Sequence, residues 1–202
     1  MFDRAATALL QPALDMAAAV LVRAGVRADA VTIIGFAIGM IAATAIVLQR
    51  PALGLALILA SRLMDGLDGA VARLTTPTDR GAFLDITLDF LFYASVPLAF
   101  AVANPGANAL PAAVLLAAFI GSGTSFLAFS ILAERRGLKS DAYAHKGIYY
   151  LGGLTEATET LICFALMCVW PQSFGLWAYG FAALCCITIG TRIIGGWRAL
   201  RV

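Results

Sequence analysis

Charged residues are scarce in this chain of 202 residues. Only 13% of the residues are charged, compared with about a quarter in soluble domains, and 61% are hydrophobic. The composition therefore excludes an ordinary soluble domain and predicts an all-α membrane protein with a single domain over residues 1–202. Because the net charge is only +2 and no basic run is present, nucleic acid is not an expected partner.

Cysteine and histidine are also few. The four cysteines lie in apolar stretches near the C-terminus without a Cys-x2-Cys pair, and His145 is the only histidine. A zinc or redox centre is therefore not expected, and the thiols should pack as small hydrophobic side chains. The N-terminus lacks a basic segment followed by a long apolar core and a cleavage site, so no cleavable signal peptide is predicted.

Apolar stretches predict six transmembrane helices as a bundle within residues 31–200. Each has about the length that a membrane span requires, and polar turns separate them. In the first span, Gly35 and Gly39 lie one turn apart and favour close packing against another helix. Residues 1–27, which Pro12 interrupts, predict an amphipathic N-terminal helix along the membrane interface. The predicted spans are residues 31–48, 52–73, 81–102, 109–133, 148–170 and 175–195.

Lysine and arginine fall almost entirely on one side of these spans. Only Arg50 lies on the opposite side, so the positive-inside rule places both termini and the ends of spans two and three in the cytoplasm. The expected location is a bacterial inner membrane. Orientation also accounts for the basic loop from Arg135 to Lys146, although contact of Lys139, His145 or Lys146 with a phosphate stays open. The cytoplasmic basic residues are Arg4, Arg23, Arg27, Arg73, Arg80, Arg135, Arg136, Lys139, Lys146, Arg192, Arg198 and Arg201.

Four aspartates lie near the cytoplasmic ends of spans two and three. Asp65 and Asp68 share one helical face, and Asp85 and Asp89 share a face of the next helix. Because a short turn joins the spans, the helices should be antiparallel neighbours whose carboxylates face one another. Close anions of this kind take up protons or bind cations, and oxygen ligands favour magnesium or manganese over zinc. Two such ions would suit displacement at phosphorus.

Neighbouring residues fit a ligand that contains phosphate. Gly69 and Gly81 leave room for close approach to the backbone, and Arg73 offers planar donors. Two other interpretations stay open, namely structural pairing such as Arg62 with Asp65, and a membrane cation carrier that uses the acidic cluster. A carrier would distribute acids along a route across the bilayer, whereas these aspartates lie at one depth.

The acidic stretch resembles the signature of the CDP-alcohol phosphotransferase family of integral membrane enzymes. That signature is Asp-x2-Asp-Gly-x2-Ala-Arg, a gap of about eight residues, and then Gly-x3-Asp-x3-Asp. Every fixed position is met here, and the six-span layout extends the resemblance along the whole chain. The matching residues are Asp65, Asp68, Gly69, Ala72, Arg73, Gly81, Asp85 and Asp89.

The resemblance implies a reaction and a role for each of these residues. Asp65, Asp68 and Asp85 would hold two divalent cations, Mg²⁺ or Mn²⁺, that grip the pyrophosphate of a CDP-linked donor. Asp89 would also contact metal and act as general base on the acceptor hydroxyl. The implied partners are CDP-diacylglycerol, a small alcohol, membrane lipids and a second copy of the chain in a homodimer. The implied donor-binding residues are Thr32, Asp65, Asp68, Gly69, Ala72, Arg73 and Gly81.

Two departures from the family pattern concern substrate contacts. Many relatives have Pro-Asn-x2-Thr before the first span, whereas residues 28–32 here read Ala-Asp-Ala-Val-Thr. Relatives with phosphorylated acceptors carry arginines around the fifth span, whereas this chain has Glu156 and Glu159 on one helical face. With Arg192, these glutamates predict a site for an unphosphorylated amino alcohol or polyol. A phosphatidylglycerophosphate- or phosphatidylinositol-phosphate-type synthase, and pairing of the glutamates with Arg192 or Lys146, stay open.

Overall fold

Helices make up all the regular structure in residues 2–137 and 154–201, which the computed structural model describes, with side chains from residue 10 onward. A single 3₁₀ turn at Pro171–Ser173 precedes the last helix. The helices are α1 (Phe2–Arg23), α2 (Ala28–Val47), α3 (Pro51–Leu74), α4 (Asp79–Ala103), α5 (Pro105–Arg135), α6 (Ala157–Val169) and α7 (Phe174–Ala199).

Prolines and capping side chains define several helix boundaries. Pro51 and Pro105 begin α3 and α5, where a missing backbone N–H costs no hydrogen bond. The Thr78 side chain accepts a 3.1 Å hydrogen bond from the Gly81 backbone N–H at the start of α4, and Asn104 caps α5 in the same manner. The predicted chain breaks at these positions are confirmed, although residues 105–108, predicted as a turn, belong to α5.

The predicted spans match α2 to α5 and α7 to within a few residues at each end. The prediction for the fifth span is wrong in its N-terminal part, because α6 has only 13 residues and Glu156 is its N-cap rather than a residue within it. The first part of span 148–170 lies outside the described residues. Pro12 does not interrupt α1, since packing of the helix against α3 offsets the hydrogen bond that proline removes.

Four helices in the described part of the chain are long and apolar enough to cross a membrane, namely α2, α4, α5 and α7 with its preceding turn. α3 has the length but carries Arg62, Asp65, Asp68 and Arg73. α6 is too short by itself to count. The fold is therefore all-α with several membrane-compatible helices, and the six-span count stays a prediction.

The seam between α2 and α3 depends on small residues. A Cβ atom on Gly35 would lie 2.9 Å from the Met64 Cβ, and one on Gly39 would lie 3.1 Å from the Ser61 Oγ. The Ser61 hydroxyl is buried and donates a 2.8 Å hydrogen bond to the Gly35 carbonyl. The close packing predicted for these two glycines is therefore confirmed, because a side chain at either position would push the helices apart.

Aromatic side chains fill much of the core, to which α2 to α7 all contribute. Phe92, Phe164 and Phe174 are fully buried, and the rings of the first two meet edge to face with centroids 6.4 Å apart. Three cysteines are buried in or beside this core, and Cys186 is exposed. The expectation that thiols act as small hydrophobic side chains holds for those three.

Candidate active site

α3 and α4 face each other across a gap that α2 bridges. α2 packs against both helices, whereas α3 and α4 have almost no close backbone contacts with one another. The carboxylates of the two helices face one another as predicted, although the helix backbones do not pack closely. The physical reason is that the glycine seam holds α2 against α3, while Phe92 of α4 packs against Gly39 on α2. The short turn then leaves an open space between the two charged faces.

Three of the predicted metal ligands lie together at this gap. Carboxylate oxygens of Asp65, Asp68 and Asp85 all lie within 4.8 Å of one another. Asp68 is 5% exposed, and its buried Oδ2 has no hydrogen-bond partner among the described residues. A buried carboxylate oxygen without a donor is unfavourable unless a cation occupies the site. The residues therefore fit a hard divalent cation, for which oxygen ligands are preferred.

The fourth aspartate has a different partner. Asp89 lines the same small pocket as the other three, and its carboxylate accepts a hydrogen bond from Arg62 Nη1. The same nitrogen lies 3.4 Å from the Asp65 Oδ1. The guanidinium also stacks over the Phe92 ring, with its Cζ 4.0 Å from the ring centroid. The sequence predicts the pairing of Arg62 with Asp65 alone, and the contact of Arg62 with Asp89 was missed. The only sequence signal for that contact is that Arg62 and Asp89 lie at a similar distance from the turn between α3 and α4.

A larger cleft of about 700 Å³ opens beside the aspartates. Most of the residues predicted to bind the donor line it, and they come from α2, α3 and α4. A side chain at Gly81 would crowd this surface, because its Cβ would lie 3.1 Å from the Thr78 Oγ1 and 3.3 Å from the Asp29 Oδ1. The predicted residues that line the cleft are Thr32, Asp68, Gly69, Ala72, Gly81 and Asp85.

Arg73 does not line this cleft in the described structure. Its Nη2 lies 4.0 Å from the Asp15 Oδ1 on α1, and both side chains are about half exposed. Two other arginines, Arg27 and Arg80, do line the cleft, and both approach the Asp29 carboxylate. Asp29 is the residue at which the chain departs from the family pattern, and this pairing explains how a carboxylate is accommodated there.

The predicted acceptor residues have structural roles in the described fold. Glu156 and Glu159 form a capping box at the start of α6, in which the Glu159 carboxylate accepts a 3.1 Å hydrogen bond from the Glu156 backbone N–H. The prediction that both lie on one face within a span is therefore wrong. Arg192 is 7% exposed and donates from Nη1 to the Ser122 carbonyl at 3.1 Å and to its hydroxyl at 3.2 Å.

The basic loop is described only at its first residues. Arg136 donates from Nη1 to the Leu200 carbonyl at 2.6 Å and so connects the ends of α5 and α7. Lys139, His145 and Lys146, for which phosphate contact stayed open, lie outside the described residues. This part of the sequence prediction therefore stays a prediction.

Comparison with known proteins identifies the class of enzyme. Residues 25–190 match the CDP-alcohol phosphatidyltransferase family, and the chain belongs to that family. It is therefore a membrane transferase of phospholipid biosynthesis, and the resemblance carried by the aspartate signature is confirmed.

Individual relatives agree with this assignment over nearly the whole chain. The inner membrane protein YnjF of Escherichia coli strain K12 is 48% identical over 201 residues, which cover 100% of this chain and 98% of that protein. The crystal structure of Mycobacterium tuberculosis phosphatidylinositol phosphate synthase (PgsA1) with CDP-DAG bound has a TM-score of 0.72 and 26% identity, covering 91% of this chain and 93% of that one. The same enzyme in complex with manganese and citrate also has a TM-score of 0.72, with 25% identity and coverage of 91% and 88%.

Proposed function

We propose that this enzyme transfers a phosphatidyl group from CDP-diacylglycerol to the hydroxyl of a small polar alcohol and releases CMP. The observation that carries the proposal is the convergence of Asp65, Asp68 and Asp85 beside a cleft lined by Gly69 and Gly81. The cleft is large enough for a nucleotide, and the aspartates lie where it meets the small pocket. The PgsA1 structure with CDP-DAG bound supports this donor.

The proposed site holds a divalent cation, Mg²⁺ or Mn²⁺, at the three aspartates. The partnerless Asp68 oxygen supports this assignment, as does the complex of PgsA1 with manganese. A cation bound there supplies charge neutralisation for the pyrophosphate of the donor. The family resemblance implies two ions and a metal contact for Asp89. Full activity after exhaustive chelation would contradict any metal role.

Asp89 is the proposed general base. Its carboxylate takes the proton from the acceptor hydroxyl, whose oxygen then attacks the phosphorus of the phosphatidyl group. The bond between that phosphorus and the bridging oxygen breaks, and CMP leaves with the electron pair. Thr32, Gly69, Ala72 and Gly81 are the residues proposed to contact the nucleotide. To reach a phosphate, the Arg73 side chain would have to leave its contact with Asp15.

The proposed membrane arrangement is one domain over residues 1–202 with six spans, α1 along the interface and both termini in the cytoplasm. The 24 residues of α3 are enough to cross, with its charged residues near the cytoplasmic end. Single cysteines introduced at exposed positions 50 and 80, in a variant without Cys186, test the arrangement. Only the residue at 80 should react with a membrane-impermeant maleimide from the cytoplasmic side. A homodimer is also proposed, to be checked by the mass of the detergent-solubilised protein.

Two acceptor classes are compatible with the site. We propose an unphosphorylated amino alcohol or polyol, because Glu156 and Glu159 place two negative charges at the start of α6, which would attract an ammonium group while the carboxylates cap the helix. A phosphorylated acceptor is the second candidate, supported by the similarity to a phosphatidylinositol phosphate synthase and by the buried cation of Arg192.

The deciding experiment incubates the purified protein with labelled CDP-diacylglycerol and separate acceptors. Ethanolamine, serine, glycerol and inositol represent the first class, and glycerol 3-phosphate and inositol phosphate the second. We expect CMP release and a new labelled lipid with a member of the first class. Preference for a phosphorylated alcohol would overturn the acceptor proposal, and no product with any alcohol would count against the phosphatidyl transfer itself. The Asp85→Asn variant is the inactive control.

A further inference from the structure

We infer that the Arg62 guanidinium takes the place of a second divalent cation, so that this chain holds one exchangeable metal ion, at Asp65, Asp68 and Asp85. The inference rests on the proposed function, because it concerns the same site. It differs from the two-ion arrangement that the family resemblance implies.

The guanidinium lies where an ion that joined Asp65 and Asp89 would have to lie. Arg62 Nη1 donates to the Asp89 carboxylate and lies 3.4 Å from the Asp65 Oδ1. A magnesium ion that joined these two carboxylates would lie about 2.1 Å from an oxygen of each. That position coincides with the space around Nη1. The guanidinium and a bridging ion therefore compete for one place.

Several contacts hold Arg62 there. Its side chain is 13% exposed, and its Cζ lies 4.0 Å above the fully buried Phe92 ring and 5.5 Å from the Tyr93 ring centroid. Nη2 also approaches the Ser61 hydroxyl, at 3.4 Å. Because arginine stays protonated in proteins, the charge cannot be removed by titration. Leaving this position would cost both the ring contacts and the two carboxylates.

The remaining carboxylates form one site. Asp65, Asp68 and Asp85 lie within 4.8 Å of one another, whereas the Asp89 carboxylate is bonded to Arg62. Asp89 is therefore oriented by Arg62 and stays outside the ligand set of the ion. In this arrangement Arg62 is a positioning residue for the proposed base.

Manganese binding tests the inference without relying on activity. Titration of the purified protein with Mn²⁺, followed by electron paramagnetic resonance, gives both the number of bound ions and their separation. We expect one ion per chain with the spectrum of an isolated Mn²⁺. In Arg62→Met we expect two ions with the spectrum of a spin-coupled pair, since ions in paired sites are about 3.5–4 Å apart. The Arg62→Lys variant keeps the charge and should bind one ion.

Two aspartate variants complete the test. Asp89→Asn should still bind one Mn²⁺, whereas Asp85→Asn should lose it. Two coupled ions in the wild-type protein, or loss of the ion in Asp89→Asn, would overturn the inference and leave the proposed phosphatidyl transfer intact. Absence of any bound Mn²⁺ in the wild-type protein would overturn both the inference and the proposed metal site. The wild-type titration decides between one and two ions even if Arg62→Met does not fold.

Discussion

The polar residues of α2 to α4 and those of α5 to α7 have different partners. In the first group, the buried Asp68 has an oxygen without a protein partner among the described residues, and it faces a cleft. In the second group, the buried threonines and Arg192 bond to other parts of the protein, and among the described residues only the Trp177 indole nitrogen is buried without a partner. The Thr155 hydroxyl donates to Thr188 at 3.0 Å, and Arg192 donates to Ser122.

This difference separates a ligand site from a scaffold. Native proteins rarely leave a buried polar atom unpaired, and such atoms concentrate where a ligand binds. The first group of helices therefore contains the proposed reacting centre, whereas the buried Thr188 and Arg192 of the second group bond within the protein. Each prediction below perturbs one of the two groups.

The largest effect is expected from the loss of a metal ligand in the first group. Asp85→Asn should lower the turnover number about 1,000-fold or more, because a bound cation contributes several kcal/mol to stabilising charge at phosphorus. Asp79→Asn is the matched control, since Asp79 lies in the same helix but does not line the cleft. Measuring CMP release for both variants checks the prediction, and equal losses would contradict it.

The loss of the proposed base should come next. Asp89→Asn should reduce CMP release about 10²–10³-fold, which is within the contribution of a general base. The protein should still fold and insert, because the asparagine keeps the shape of the side chain. The measurement is CMP release per folded protein, with the elution volume in detergent as the check on folding. Unchanged turnover would count against Asp89 as the base.

A smaller effect should follow from filling the seam that supports the first group. In Gly39→Leu the new side chain would overlap Phe92 and Ser61, and overpacking typically destabilises by about 1–3 kcal/mol. Gly180→Leu is the control, because a Cβ at Gly180 has nothing within 4 Å. Thermal unfolding in the same detergent compares the two. If Gly180→Leu is destabilised as much as Gly39→Leu, the close packing at Gly39 is not the cause of the lost stability.

The smallest effect is expected at the start of α6, in the second group. Glu159→Ala should destabilise the protein by about 1 kcal/mol, the usual loss for a capping side chain. Glu159→Gln keeps an acceptor oxygen for the Glu156 N–H and should be close to wild type in thermal unfolding. If the negative charge also binds an amino alcohol, Glu159→Gln should raise the KM for that acceptor alone. An unchanged KM would restrict Glu159 to capping.

Spacing within a helix was enough to predict most of the first group. Asp65 and Asp68 are three residues apart and must share a helical face. Asp85 lies near the start of the next helix, which a short turn joins to α3, so local geometry brings the three together. The splaying of α3 from α4 was not predictable, because it comes from the packing of α2 against both helices. The same holds for the link between Arg62 and Asp89, which joins residues on different helices.

The second group was harder to interpret for a physical reason. Glu156 and Glu159 have the spacing of a shared helical face, and they have equally the spacing of a capping box. The choice depends on where α6 begins, and the sequence places that boundary too early. For Arg192, likewise, the sequence permits either a substrate-binding role or a structural role in the core, and the bond to Ser122 indicates the structural role.

Arg62 also limits how far a cation can enter the acidic site. A cation that reaches Asp65 from the cleft meets the positive charge of Arg62, which lies one turn earlier in α3 and over the ring of Phe92. Positive charge at a constriction is the barrier by which membrane pores reject cations. The proposed site would therefore attract divalent cations without offering them a path past Arg62, even though four carboxylates line the same pocket.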